Sequence, residues 1–283
     1  MDYSKYFCGE DGYCLDYPKA AIAILPVPYD GTSTWIKGAD KGPAALIEAS
    51  GTLEMHDIET GTDVSKKGIY TMSPVTESNS PEMMSKAVEL AMEGLLEDKK
   101  FPVLIGGEHS VSVGAINAIA KQYPNVTILQ FDAHADLRKT YEGSEYNHAC
   151  AMHKAMEVAP IVQVGIRSMC EEESVFVKPE KMFFRYQLRQ NPAWQKDVLN
   201  QLSKDVYITI DLDVFDPSIM PSTGTPEPDG LLYHDVLSMI KLVANQCNII
   251  GIDVVELCPN KSNKAPDFLA AKLVYQILSE VFK

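Results

Sequence analysis

Short apolar stretches recur along the chain, and segments with a helical pattern separate them. The stretches at 20–27, 101–107, 126–131, 160–166, 182–186, 206–212 and 249–257 are apolar at nearly every position. Strands that are buried on both faces of a parallel sheet show this continuous pattern, whereas half-exposed strands alternate between apolar and polar residues. We therefore predict seven buried strands.

Amphipathic helices are predicted between these strands. The clearest begins after Ser80, because Pro81 and Glu82 follow this cap residue. The segment SVGAINAIAKQ and the last segment of the chain are helical too, the last with Leu269, Leu273, Val274, Ile277 and Val281 on one face. Alternating strands and helices predict a three-layer α/β/α fold with a mostly parallel central sheet. No repeat or Gly/Ser-rich linker interrupts this order, so we expect one domain over residues 1–283.

Composition and charge narrow the possible functions. Asp and Glu number 39 against 25 Lys and Arg, which gives a net charge of −14 and disfavours nucleic acid as a partner. No stretch approaches the roughly 18 apolar residues of a membrane span, and the first residues lack the order of a signal peptide. The six cysteines are scattered without a CxxC pair, which is typical of a reduced, intracellular protein. We expect a cytoplasmic protein.

Residues that can bind metals follow three of the predicted strands. They are His109 in GGEHS, the alternating residues Asp132, His134 and Asp136 in DAHAD, and Asp211 and Asp213 in DLD. In open α/β sheets, ligands bind beyond the carboxyl ends of the strands, so these side chains are expected to meet there. Strand alternation would also bring residues at every second position to one face.

Each of the three motifs has an ordinary structural explanation when it is taken alone, such as a capped strand end or a tight turn. Four aspartates that cluster without a cation, however, would carry a large cost in desolvation and repulsion. Two divalent ions would balance the four carboxylates, and oxygen ligands with a minority of imidazole favour manganese over zinc. Because two such ions lower the pKa of a water between them, the motifs predict a hydrolase with two Mn²⁺ per chain.

The stretches IGGEHSVSVGAINA, ILQFDAHAD and TIDLDVFDPSIMPSTGTPEPDG resemble the three signatures of the ureohydrolase family, which comprises arginases, agmatinases and their relatives. The resemblance implies an arginase-like fold, a small cationic guanidino substrate, and trimers or hexamers. It implies one manganese held by His109, Asp132, Asp136 and Asp211. It implies a second held by Asp132, His134, Asp211 and Asp213, with Asp132 and Asp211 bridging.

The same resemblance implies catalytic and substrate-binding residues. Glu256, in GIDVVELCP, matches the glutamate that orients the substrate guanidinium, and His148, in SEYNHACAM, matches a histidine that moves protons near the leaving amine. Asp136 is implied to bind metal and to carry a proton to the leaving nitrogen. Without the resemblance, Glu256 would be read as a solvated carboxylate at a strand end.

Within the family, the chain is most similar to agmatinases. The loop PSTGTPEPDG resembles theirs, and the segment LRKTYEGSEYN lacks the pattern with which arginases grip an α-amino carboxylate. The implied reaction converts agmatine to putrescine and urea. Two departures concern the pocket: His148-Ala149-Cys150 stands where agmatinases commonly have His-Gly-Thr, and 38–43 lack an arginine that many relatives carry. Redox roles for Cys150 and Cys258 stay open.

Three other functions remain open from the sequence. A ureohydrolase of 4-guanidinobutyrate or a related guanidino acid would differ only in the pocket loops. A binuclear phosphoesterase would use similar metals, but its typical asparagine-histidine and paired-histidine segments are absent. A guanidine- or polyamine-binding protein without catalysis would not need the full set of six metal ligands.

Overall fold

The structure is a computed structural model and describes residues 5–12 and 14–283. Its central sheet has eight strands: β1 (Ile22–Val27), β2 (Ile69–Thr71), β3 (Phe101–Gly106), β4 (Thr127–Phe131), β5 (Ile161–Ile166), β6 (Met182–Phe184), β7 (Asp205–Asp211) and β8 (Asn248–Val255). Their order in the sheet is β2-β1-β3-β8-β7-β4-β5-β6, and all neighbouring strands are parallel. The predicted parallel sheet is confirmed.

All seven predicted strands are present, but several of their ends differ from the prediction and one further strand was missed. The strand predicted at 182–186 ends at Phe184, because Arg185–Leu188 begin a helical turn. The sequence analysis also missed β2, a three-residue strand at the edge of the sheet that pairs with β1. Three residues are too few to produce a recognisable apolar stretch.

Helices cover both faces of the sheet. The α-helices are α1 (Gly9–Gly12), α2 (Gly42–Ser50), α3 (Pro81–Glu97), α4 (Val111–Gln122), α5 (Ala151–Met156), α6 (Arg185–Leu188), α7 (Trp194–Leu199), α8 (Tyr233–Gln246) and α9 (Ala265–Val281). One buried apolar core contains residues of α2, α8 and α9, and the other contains residues of α3, α4 and α5. Among the described residues, no helix is both long enough and apolar enough to cross a bilayer.

The sequence accounts for this arrangement through caps and alternation. The Ser80 hydroxyl accepts a hydrogen bond from the Met83 amide at 3.1 Å, so α3 starts where the sequence predicts. Along β1, Ile22 and Ile24 face one core and Ala23 faces the other, as strand geometry requires. Both faces of the sheet are therefore buried, which confirms the three-layer α/β/α architecture.

The fold brings four strand ends together in the middle of the sheet. Strands β3, β8, β7 and β4 are consecutive neighbours and run in the same direction. His109 follows β3, Glu256 follows β8, Asp211 ends β7 and Asp132 follows β4. Residues that are up to 147 positions apart thus meet at one edge of the sheet.

Candidate metal centre

The residues singled out from the sequence lie around one cavity at the carboxyl edge of the sheet. The cavity wall contains His109, His134, Asp136, His148, Asp211, Asp213 and Glu256. Asp132 lies beneath them and is fully buried. The glycine before Glu108 in the GGEHS turn is required by close packing, since a Cβ on Gly107 would lie 1.9 Å from the Tyr29 carbonyl oxygen.

The first group of possible ligands surrounds one ring nitrogen of His109. The Nδ1 atom lies 3.0 Å from Asp132 Oδ2, 3.0 Å from Asp136 Oδ2 and 3.5 Å from Asp211 Oδ2. Ligand atoms of His109, Asp132 and Asp211 all lie within 4.8 Å of one another, close enough to share a metal ion. Asp136 contacts the histidine but stands outside that tightest group.

The second group lies on the other side of Asp132. His134 Nδ1 is 2.8 Å from Asp213 Oδ2 and 3.7 Å from Asp132 Oδ1, and these three residues also form a group that could hold an ion. Asp132 belongs to both groups and presents one oxygen to each. A carboxylate in this position can bridge two metal ions, as the sequence analysis expected.

The reason expected for this convergence, strand alternation, is wrong. Strand β4 ends at Phe131, and Asp132 Oδ1 then accepts a hydrogen bond from the His134 amide at 2.6 Å, which makes a side-chain-stabilised turn. Asp211 Oδ1 accepts from the Asp213 amide at 2.8 Å in the same way, where a 3₁₀ turn follows β7. Turns at the strand ends, and not the strands themselves, bring these carboxylates together.

A hydrogen-bond chain fixes the protonated nitrogen of His109. Its Nε2 atom lies 2.9 Å from Thr209 Oγ1, and the Thr209 hydroxyl donates its single proton to Asp253 Oδ1 at 2.6 Å. Thr209 must therefore accept from His109 Nε2–H, which leaves Nδ1 as the nitrogen whose lone pair can bind a metal ion once its own proton has left. This Nδ1 is buried and faces the carboxylates of Asp132, Asp136 and Asp211. Burial alone would lower the pKa of His109, but contacts with Asp132 and Asp136 raise it well above its ordinary value, so a proton occupies the place among the carboxylates where a metal ion would bind.

A second series of hydrogen bonds, from strands β5 and β4, orients Asp132. Gln130 Nε2 donates to Asp132 Oδ2 at 2.6 Å, and Gln163 Nε2 donates to Gln130 Oε1 at 2.6 Å. Both glutamines are buried on neighbouring strands β4 and β5. The sequence analysis missed Gln130, Gln163 and Thr209; polar residues inside otherwise apolar strands were the signal that could have found them.

The electrostatics of the cluster show a shortage of positive charge. Burial raises the pKa of Asp132 to about 7, and Asp213 and Asp136 add to this by repulsion. Burial likewise raises the pKa of Asp211 well above its usual range. Burial alone would lower the pKa of His134, but its contact with Asp213 raises it to about 10. Carboxylates whose pKa is raised in this way are suited to divalent cations, which would replace their protons.

Glu256 lies beside the cluster with a constrained backbone. Its φ is +67°, its amide donates to the Gly107 carbonyl at 2.7 Å, and its Oε1 accepts from the His109 amide at 2.8 Å. Burial, together with the nearby Glu108, raises the pKa of Glu256 well above its ordinary value. A positive φ at a non-glycine residue is unusual and is concentrated at functional sites.

His148 and the two cysteines in question lie near the same wall. His148 begins a 3₁₀ turn, His148–Cys150, and its side chain lines the cavity. Ala149 fits this turn without a positive φ, so the departure from glycine carries no strain. Cys150 is fully buried, and burial raises the pKa of its thiol to about 12; burial also raises the pKa of Cys258. Both thiols therefore resist ionisation, which supports a packing role.

Comparisons with known proteins agree on one family. The model of the arginase family matches residues 20–279. An N(1)-aminopropylagmatine ureohydrolase from Synechocystis sp. is 36% identical over 273 residues, covering 93% of this chain and 89% of that protein. An agmatinase from Pyrococcus horikoshii is 30% identical over 276 residues, covering 93% of each. The crystal structure of the agmatine ureohydrolase of Thermoplasma volcanium has a TM-score of 0.88 and 30% identity, covering 98% of this chain and 94% of its own.

Proposed function

We propose that this chain, which belongs to the arginase family, hydrolyses the guanidino group of agmatine or of an agmatine extended at its amine. Ureohydrolysis of a guanidino compound is the coarser conclusion that the family supports. The observation that carries the proposal is the pair of His/Asp groups that share Asp132 at the cavity beside Glu256. We also propose that one ureohydrolase domain spans the chain.

Two manganese ions would be held by the side chains described above. His109, Asp132, Asp136 and Asp211 would hold one, and Asp132, His134, Asp211 and Asp213 the other. The four carboxylates contribute a charge of −4, which two divalent ions balance. When bound, such ions supply a water of lowered pKa as the nucleophile. The position of His109 Nδ1 among three carboxylates and the raised pKa of Asp132 support this fit.

Glu256 would bind the guanidinium and set its orientation. Its Oε1 atom already accepts from the His109 amide, so the carboxylate cannot rotate freely. A planar guanidinium can donate two parallel N–H bonds to such a carboxylate, which turns the guanidinium carbon towards the metal ligands. Because Glu256 is buried, pairing with the cation also relieves the cost of holding its negative charge there.

Asp136 and His148 would handle the protons. Hydrolysis breaks the bond between the guanidinium carbon and the nitrogen of the tail, and that nitrogen must gain a proton to leave as an amine. Asp136 contacts His109, and from this position its carboxylate can take the proton that the attacking water gives up. His148 lines the cavity and can deliver a proton to the leaving nitrogen.

The tail of the substrate distinguishes the candidate functions. Similarity to agmatinases and to N(1)-aminopropylagmatine ureohydrolases favours a cationic tail, with or without an aminopropyl group. One observation favours a second candidate, a guanidino acid such as 4-guanidinobutyrate. Arg138 lines the cavity with its guanidinium stacked on Tyr141 at 4.5 Å, and it forms no ion pair with the described residues. An unpaired guanidinium could bind a substrate carboxylate.

Urea release by the manganese-loaded protein tests the proposal. Agmatine, N(1)-aminopropylagmatine, 4-guanidinobutyrate and arginine are compared in parallel, with the bound metal measured in the same samples. We expect the highest kcat/KM for one of the first two. Highest activity on 4-guanidinobutyrate, lost in Arg138→Gln and partly kept in Arg138→Lys, would establish the guanidino acid instead. No urea from any compound, with two ions bound per chain, would refute the proposal.

The assembly of the chain is a separate prediction. The family resemblance implies a homotrimer or a homohexamer, and light scattering coupled to size exclusion measures the mass directly. A monomeric, fully active protein would contradict this prediction without affecting the proposed reaction.

A further inference from the structure

We propose that Thr32 is a positioning residue that holds His148 with Nε2 directed into the cavity, and that Glu108 orients the Thr32 hydroxyl for this purpose. The inference rests on the proposed function only in that His148 moves a proton. Thr32 lies in the loop after β1, 116 positions from His148 in the chain, and neither Thr32 nor Glu108 belongs to the metal-ligand set or contacts it through its side chain in the arrangement described above.

Glu108 holds Thr32 through two hydrogen bonds. The Thr32 amide donates to Glu108 Oε2 at 3.2 Å, and the Thr32 hydroxyl donates to the same oxygen. The other oxygen, Oε1, accepts from the Ser110 hydroxyl. Glu108 is completely buried, and three donors face its carboxylate, so the ionised group accepts the single hydroxyl proton of Thr32.

The remaining bonding capacity of the Thr32 oxygen goes to His148. Its two lone pairs face the His148 amide at 2.9 Å and His148 Nδ1 at 3.1 Å. Because the hydroxyl proton points to Glu108, the oxygen can only accept at both contacts. His148 Nδ1 must therefore carry a proton, and Nε2 is left with the lone pair.

This assignment gives His148 a defined role in proton transfer. A neutral ring protonated at Nδ1 can take up and release a proton at Nε2 without rotating. When the ring becomes charged, the proton on Nδ1 keeps its hydrogen bond to Thr32 Oγ1. Glu108 Oε2 lies 3.6 Å from Nδ1, which is too far for a hydrogen bond but close enough to stabilise the imidazolium. Tyr141 contacts the ring edge-on, with centroids 6.2 Å apart, but this contact cannot select a tautomer.

The decisive experiment combines Thr32→Val with His148→Ala in the manganese-loaded, full-length protein. Thr32→Val keeps the shape and removes the hydroxyl, whereas Thr32→Ser keeps the hydroxyl as the matched control. We expect Thr32→Val to lower kcat about 10- to 100-fold, a part of the roughly 10²–10⁴-fold that a general acid contributes, with little change in KM. Thr32→Ser should restore most of the rate. In the His148→Ala background, Thr32→Val should cause no further loss.

A second measurement separates positioning from general damage. Nitrogen-15 NMR of the histidine rings in metal-free protein distinguishes a proton on Nδ1 from one on Nε2. We expect His148 to be protonated at Nδ1 in the unchanged chain and in Thr32→Ser, and to shift towards Nε2 in Thr32→Val. If Thr32→Val does not fold, Thr32→Ala provides the same test, because Thr32 is partly exposed and its truncation leaves little buried space.

The outcomes distinguish this inference from the proposed function. Unchanged kcat in Thr32→Val, an equal loss in the His148→Ala background, or an Nε2 proton on His148 in the unchanged chain would each overturn the positioning role. Unchanged kcat in His148→Ala would instead remove His148 from the proposed mechanism. Measuring two bound ions per chain in every variant excludes loss of metal as the cause.

Discussion

Replacing Thr209 with valine should weaken the binding of one metal ion and leave the binding of the other unchanged. Thr209 links His109 Nε2, at 2.9 Å, to Asp253 Oδ1, at 2.6 Å. Valine has the same shape but no hydroxyl, so the Nε2–H of a histidine that is 1% exposed loses its acceptor. Loss of such a supporting hydrogen bond typically reduces metal affinity by about 10- to 100-fold, or roughly 1.4–2.8 kcal/mol.

The same substitution should also destabilise the metal-free protein. A buried N–H group without a partner costs about 1–3 kcal/mol, whereas Asp253 keeps one donor, the Ser112 hydroxyl at 3.0 Å. Urea unfolding in the presence of a chelator measures this cost apart from metal binding. Thr209→Ser, which keeps the hydroxyl, should stay close to the unchanged protein in both measurements.

Titration calorimetry with Mn²⁺ resolves the two binding steps. We expect only the step assigned to the His109 group to weaken in Thr209→Val, since the His134 group contains neither His109 nor Thr209. Unchanged affinity at both steps would show that the tautomer of His109 does not depend on Thr209. Equal weakening of both steps would show that the substitution disturbs the whole site, and it would refute the inference that Thr209 acts only through His109.

Four further predictions concern the metal-ligand cluster and the cavity wall beside it. Asp132→Ala should lose both ions and at least about 10³-fold in activity, because Asp132 belongs to both groups; two ions per chain by elemental analysis would contradict it. Glu256→Gln should keep its metals but lose roughly 10²–10³-fold in kcat/KM, as expected when one partner of a buried ion pair is removed. An unchanged kcat/KM for urea release would exclude the contact between Glu256 and the substrate guanidinium. The metal-free protein should melt at a lower temperature at pH 8 than at pH 5. Folding raises the pKa of Asp132 from 3.8 to about 7 and that of His134 from 6.5 to about 10. The stability that these protons contribute is therefore lost as the pH rises between the two values of each residue. With Mn²⁺ bound, the protein should instead melt at a higher temperature at pH 8 than at pH 5. Cys150 should resist iodoacetamide in the folded protein, as mass spectrometry of its peptide would show, because its thiol is buried and its pKa is about 12.

The fold was predictable because strand burial leaves a continuous apolar pattern in the sequence. The parallel sheet places the ends of β3, β4 and β7 at one edge, and this alone gathers His109, Asp132 and Asp211 without knowledge of any loop. Glu256 was found only through the family resemblance, since a single carboxylate after a strand has no distinguishing pattern. Its position beside His109 depends on the pairing of β3 with β8, which are far apart in the chain.

The supporting hydrogen bonds could not be predicted from the sequence. Thr209, Gln130 and Gln163 lie inside apolar strands, where a polar residue often has only a structural partner. Which partner it has depends on the strand order β7-β4-β5 and on register, such as the pairing of Gln130 with Gln163. Alternation along a strand was also the wrong reason for the convergence of Asp132 and His134, because turn formation after a strand depends on side-chain capping that periodicity does not report.

Asp136 shows how closely the metal cluster and the wall carrying His148 are joined. Its φ is +53°, a conformation that costs most L-residues roughly 1–2 kcal/mol but that aspartate and asparagine adopt more readily. In this conformation its carbonyl accepts from the amides of Met152 and His153, both at 3.0 Å, at the start of α5. These amides would otherwise lack helical partners. The residue therefore directs its carboxylate to His109 and its carbonyl to the helix that follows the His148 turn. Because asparagine also tolerates this φ, Asp136→Asn should remove the charge and leave α5 in place. Asp136→Ala should remove the charge and also disturb the start of α5.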